Sequence, residues 1–272
     1  MTAFTNHFGF EFRTGIRNRS LLLLNYLFPL AFYLMMGFVM TELNPLFRDV
    51  LLPAMVVFAV FTAAILGLPD PLVQAREAGI FRSYNINGMP KLNILTVPAL
   101  TTSLHLVIVA AIITISAPLL FDAPVPVNWL NFIIVFAALL FACLGLGVLI
   151  GVVSPNSRAT VLLSQSFFLP AMLIGGLMIP YSMLPRVAQI AAQLLPSTHA
   201  MNAFKGLAMG QEADFWPWGS VIILAAGGAA AFGLAYYLFR WDSQHSKRRL
   251  PTAVALLLAL VPYAVGIVAF AL

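Results

Sequence analysis

The side chains able to do chemistry in this chain are few. Only 8% of its 272 residues are Asp, Glu, Lys or Arg. Four of those charges, Arg76, Glu77, Arg82 and Lys91, fall in one polar stretch between two apolar runs, DPLVQAREAGIFRSYNINGMPK, from Asp70 to Lys91. Mixed charges on such an interruption suit docking against a separate protein that delivers force; a solvated turn is the plainer alternative. Bond-making chemistry has little support. His105 is the one ionisable residue inside an apolar run, beside Ser103. An intramembrane ionisable group is a functional candidate by default, and a neutral histidine bonded across helices is its structural alternative. No HExxH, no paired intramembrane aspartates and no recognisable Ser/His spacing occur, so the groups a hydrolase needs are missing. No GxxxxGK[ST] is present and no lysine follows a glycine, so this chain has no P-loop to hold nucleotide phosphates. If the chain is part of an ATP-driven pump, the ATPase, with its ATP and magnesium, is another chain, and no cofactor is expected on this one. Cys143 is a single cysteine in an apolar run, which leaves no intrachain disulfide or cysteine metal cluster.

The elements that position these residues follow from hydropathy. The chain is 61% hydrophobic with a mean hydropathy of +0.97. Several charge-free runs reach roughly 20 residues, the length a helix needs to cross hydrocarbon. They are apolar all round, where a soluble helix would show one apolar stripe and a barrel would show short alternating segments. The fold class is therefore all-α, a polytopic transmembrane helical protein. Six core spans are expected at about Ser20–Met40, Val50–Leu68, Asn93–Leu120, Trp129–Val153, Ala159–Ile179 and Trp218–Phe239, with a seventh run at Leu250–Leu272. Residues 1–19 mix phenylalanines with Arg13, Arg17 and Arg19 and suit an interfacial helix. They do not read as a cleaved signal, because a span-length run follows without a small-residue cleavage site. Asp70 before Pro71 reads as the N-cap of a new short helix carrying the charged stretch. Residues 180–217, broken by Pro180, Pro185 and Pro196, read as an external hairpin of short helices dipping into the membrane.

Charge sets the orientation. With the amino terminus inside, eleven Lys and Arg lie on the cytoplasmic side and three outside, while the acids divide four to five. That asymmetry is the one the positive-inside rule counts. The same distribution accounts for the net charge of +5 without nucleic acid, since no aromatic-basic patch gathers it. Gly145, Gly147 and Gly151, and Gly227, Gly228 and Gly233, allow close backbone approach. Packing within one chain and a seam between two chains both use such glycines.

Two stretches resemble the membrane subunit of type-2 ATP-binding-cassette exporters. One is REAGIFRSYNINGMPKLNIL, Arg76 to Leu95; the other is VSPNSRATVLLSQSFFLPAMLIGGLMIPYSMLPRVAQIAAQLLPSTHAMNAFKGL, Val153 to Leu207. The resemblance spans residues 1–240, leaving 241–272 as a basic loop and an additional run; the chain departs from the family pattern at Ala75, Ile80 and Leu195. It implies a multi-pass permease in the cell inner (plasma) membrane, paired with a second permease subunit over ABC ATPase subunits. It also implies that residues 70–91 couple to the ATPase, with Arg76, Glu77, Gly79, Phe81 and Arg82 in the main contact and Asn156 and Arg158 in a smaller one. Cargo would be an amphiphilic or lipid-like molecule, because a cavity of apolar side chains desolvates a bare ion at high cost. His105, Phe167, Phe168, Met172 and Met178 are the candidate cavity residues. Export of a polysaccharide or lipid-linked glycan, and a non-transporting anchor or assembly subunit, are the alternative readings.

Overall fold

The computed structural model describes residues 8, 9, 13, 18–241 and 250–270. The expected interfacial helix at 1–19 lies almost wholly outside these, as do the basic residues 242–249. Every element is helical, and no strand occurs among the described residues. Six helices are long and apolar enough to cross a membrane: Leu23–Leu43, Pro45–Glu77, Lys91–Phe121, Trp129–Val153, Ser157–Ile174 and Pro217–Leu238.

Their ends have local causes. The fourth span begins where the Asn128 side chain accepts from the Asn131 amide at 3.0 Å and stops at Ser154–Pro155, because proline disfavours helical backbone in the residue before it. The fifth span ends at Ile174, earlier than the hydropathy predicts. Its C-cap is Gly175, and Gly176 has φ +84°, a left-handed conformation that glycine adopts without penalty. The expectation at Asp70 needs correcting. The short helix Pro69–Glu77 starts two residues sooner, with Pro69 in its first turn and Leu68 at the cap. Asp70 makes no cap; it accepts from Gln74 Nε2 at 2.6 Å. This helix follows a π-helical turn, Thr62–Gly67, so the second span runs on for 33 residues instead of stopping at the prolines. The seventh run is two helices, Thr252–Ala259 and Val261–Ala269, set 40° apart. Pro262 accounts for the break: it lacks an amide hydrogen and its ring crowds the carbonyl four residues back.

The second span is the hub, with 89% of its apolar window buried against 28% for the first span. Glycines bring the neighbours in. A methyl at Gly147 would collide with the Ala64 carbonyl, and one at Gly151 would press on the Pro69 carbonyl and Leu72. Gly145 faces the Gly228 backbone of the sixth span, and Gly227 lies under the Tyr263 ring of the seventh run. These glycines serve packing within one chain. Gly233 is different, with open space around it.

Candidate functional site

The charged stretch is built on the Pro69–Glu77 helix. Positions 69, 72, 73 and 76 share one helical face, and Pro69, Leu72, Val73 and Arg76 are the buried residues. Gly79, at φ +74°, then turns the chain into a second short helix, Ile80–Ile86. Phe81 is buried and packs its ring on Phe239, centroids 5.6 Å apart. Glu77 and Arg82 are exposed. The sequence-derived contacts thus divide: Glu77 and Arg82 face outward, whereas Phe81 and Arg76 hold the stretch to the body of the protein.

Arg76 is 7% exposed. Its guanidinium donates to the carbonyls of Val152 at 2.8 Å and Gly151 at 3.2 Å, and also to that of Ser154. The last carbonyls of any helix lack partners within it, and a cation there also opposes the negative end of the helix dipole. The remaining carbonyl of this group, Val153, accepts from Thr252 Oγ1 at 3.0 Å. The end of the fourth span is therefore closed by two side chains from distant parts of the sequence. Arg76 also fixes the charged stretch beside the Ser154–Arg158 turn, where Asn156 caps the fifth span by accepting from the Ala159 amide at 2.9 Å. Arg158 is exposed there. One face of the molecule accordingly gathers residues 70–91, 154–158, 239–241 and 250–252.

The opposite face is joined by its own contacts. The Val127 amide donates to the Ala208 carbonyl at 2.8 Å, and Gln211 Nε2 to the Asp49 carbonyl at 2.8 Å. Residues 180–217 form the helices Arg186–Ala192 and Pro196–Ala203 with turns between. Sequence reasoning overlooked two side chains that order this region. Asn202 donates to the Phe215 carbonyl and Ser220 Oγ and accepts from the Asp214 and Phe215 amides, all within 3.1 Å. His199 is fully buried, with Nε2 2.9 Å from the Gln193 carbonyl and its ring against Phe215 and Tyr263. Since a carbonyl can only accept, Nε2 carries the proton. Nδ1 is buried without a hydrogen-bond partner, and burial lowers the imidazole pKa to about 4. The signal available in the sequence was a histidine and an asparagine three residues apart in a short helix after Pro196.

Among the described residues the candidate cavity residues fall at separate places: His105 and Met178 line different pockets, and Phe167 and Phe168 are in the core. His105 is buried, its Nδ1 2.7 Å from the Tyr26 hydroxyl, and it lines a small space of about 40 Å³ with Asn25, Thr101 and Thr102. Phe167 and Phe168 are buried in the core, where Phe168 meets Phe58. Met172 packs partly buried against that core, while Met178 lines a pocket of about 120 Å³ that also includes Lys205 and Asp214, paired at 2.8 Å. No group of three or more His, Cys, Asp or Glu suited to a metal occurs among the described residues.

Comparison with known proteins agrees with this architecture. Residues 5–209 match the family model described as ABC-2 type transporter. The chain is 28% identical over 222 residues to the protein named "Putative transport permease YvfS" of Bacillus subtilis (strain 168), covering 79% of this chain and 88% of that one. No solved structure gives a significant match. With six apolar spans and a family match over most of its length, this multi-pass membrane protein belongs to the ABC-2 type transporter family.

Proposed function

We propose that the chain is the permease subunit of an ATP-driven exporter whose nucleotide-hydrolysing subunit is a separate polypeptide docked on residues 70–91 and 154–158. The observation that carries this reading is the Arg76 junction. One buried guanidinium joins the charged stretch to the end of the fourth span, so displacement of the exposed Glu77 and Arg82 is passed to a membrane helix. A ligand or partner drives a conformational change only through contacts that differ between the two states, and those exposed charges are where such contacts would form. On this reading the face bearing them is cytoplasmic, with the amino terminus on the same side of a plasma-membrane protein; the eleven-to-three division of basic residues supports that orientation.

The cargo is an amphiphilic or lipid-like molecule, and its path lies between two permease subunits. The dispersal of His105, Phe167, Phe168, Met172 and Met178 supports a path outside the single chain. So does the first span, where Leu27 and Phe38 are 64% and 61% exposed. The test is co-purification with any ABC ATPase found encoded beside this chain. Glu77→Lys and Arg82→Glu are expected to lower the retained ATPase about tenfold, equivalent to roughly 1.4 kcal/mol. The melting midpoint should stay unchanged because both side chains are exposed. Undiminished association of both variants would overturn the docking assignment.

A further inference from the structure

We infer that the groove between the third, fourth and sixth spans is a binding site for one acyl chain of an anionic phospholipid whose phosphate pairs with Lys91. The groove encloses about 450 Å³. Its floor is the buried Leu95, Ala99 and Leu144, and its rims are the exposed Leu92, Leu100 and Phe141. Three hydroxyl side chains line it, Thr96, Ser103 and Tyr236, and the two on the third span spend their protons on their own helix: Thr96 Oγ1 donates to the Leu92 carbonyl at 2.8 Å and Ser103 Oγ to the Leu100 carbonyl at 2.7 Å. An occupant must therefore be hydrocarbon along its length, because a polar group there would lose its hydration without a partner.

The dimensions select among hydrocarbon occupants. From Leu92 to Ser103 the third span rises about 17 Å at 1.5 Å per residue, close to half of the roughly 30 Å hydrocarbon core, one leaflet. Spread over that length, the volume gives a section of roughly 27 Å², about a third that of a helix some 10 Å across. A section of that size accommodates a single alkyl chain.

Charge fixes the orientation and the class of lipid. Tyr236 lines the same groove, and Lys91 Nζ sits over its ring, 3.6 Å from the centroid and 3.5 Å from its carbonyl oxygen. The ammonium has three donors. It has no carboxylate within pairing distance among the described residues. A phosphate at the membrane surface above an alkyl chain in the groove would meet this cation where the hydrocarbon ends. The groove lies apart from the residues assigned to cargo above; its cation, Lys91, is the last residue of the stretch assigned to ATPase docking, so lipid binding is read on the chain without the ATPase.

The experiment uses the purified full chain in detergent, incubated with phosphatidylglycerol or with phosphatidylcholine of the same chains, washed, and read by native mass spectrometry. Wild type is expected to retain phosphatidylglycerol at least about fivefold over phosphatidylcholine, a difference near 1 kcal/mol. Lys91→Gln should abolish that preference and Lys91→Arg should keep it. Ala99→Phe should displace both lipids by filling the floor; Thr96→Phe, at a less buried position, serves if Ala99→Phe lowers the melting midpoint. Equal retention of the two lipids by wild type, a preference that survives Lys91→Gln, or full retention in a folded groove-filling variant would each overturn the site. So would a change of oligomeric mass on filling the groove, which would assign it to a second copy.

Discussion

At the scale of single residues, burial decides what a polar side chain is for. Arg76 and Glu77 are neighbours with opposite fates. Arg76 continues the face of Pro69, Leu72 and Val73, so a helical projection of the Pro69–Glu77 segment marks it as inward. Its acceptors could not be foreseen, because Gly151, Val152 and Ser154 lie some 75 residues away. His199 gives the clearest prediction at this scale. Its pKa is lowered in the folded protein by burial, from 6.5 to about 4, so the unfolded chain takes up a proton in this interval that the folded chain refuses. Its contribution to stability is thus complete above pH 6.5 and is lost as pH falls towards 4, at up to about 1.4 kcal/mol per pH unit. Melting midpoints from pH 7.5 to 4.5 should fall more steeply for wild type than for His199→Gln, which has no imidazole to titrate.

At the scale of elements, hydropathy located the spans well and their punctuation less well. The fourth span was legible to the residue, since asparagine stands before it and Ser-Pro after it. The fifth was read too long because Leu177 to Ile179 remain apolar past the glycines that end the helix. The bend in the seventh run was missed because composition counts Pro262 as one residue among apolar ones, although it removes a backbone donor. Close glycine contacts carry the packing prediction. Gly147→Ala forces a methyl onto the Ala64 carbonyl, and overpacking of this kind costs about 1–3 kcal/mol. Gly233→Ala meets nothing and should be neutral or stabilising by up to about 1 kcal/mol through helix propensity. Thermal unfolding of the two variants in one detergent checks the contrast; equal midpoints would refute it.

At the scale of the whole molecule, the C-terminal helices are part of the fold. Ala255, Leu256, Ala259 and Tyr263 are buried, Tyr263 lies over Gly227, and Gly266 sits against Ile223 and close to His199. Thr252→Ala removes one hydrogen bond to Val153 and should cost about 1 kcal/mol. Deleting residues 250–270 removes that bond together with the apolar contacts, so its melting midpoint should drop by clearly more than that of Thr252→Ala. A deletion no worse than the point variant would make the segment an appendage. None of this was legible from composition, which identified an apolar run and could not say against what it lies.

The closure of the fourth span at Gly151–Ser154 has a mechanical corollary. Because that helix end is held both by Arg76 and by Thr252, the proposed coupling has a stiff load path: force delivered to the charged stretch would act on the rod and its C-terminal outrigger together, as through a tow-bar.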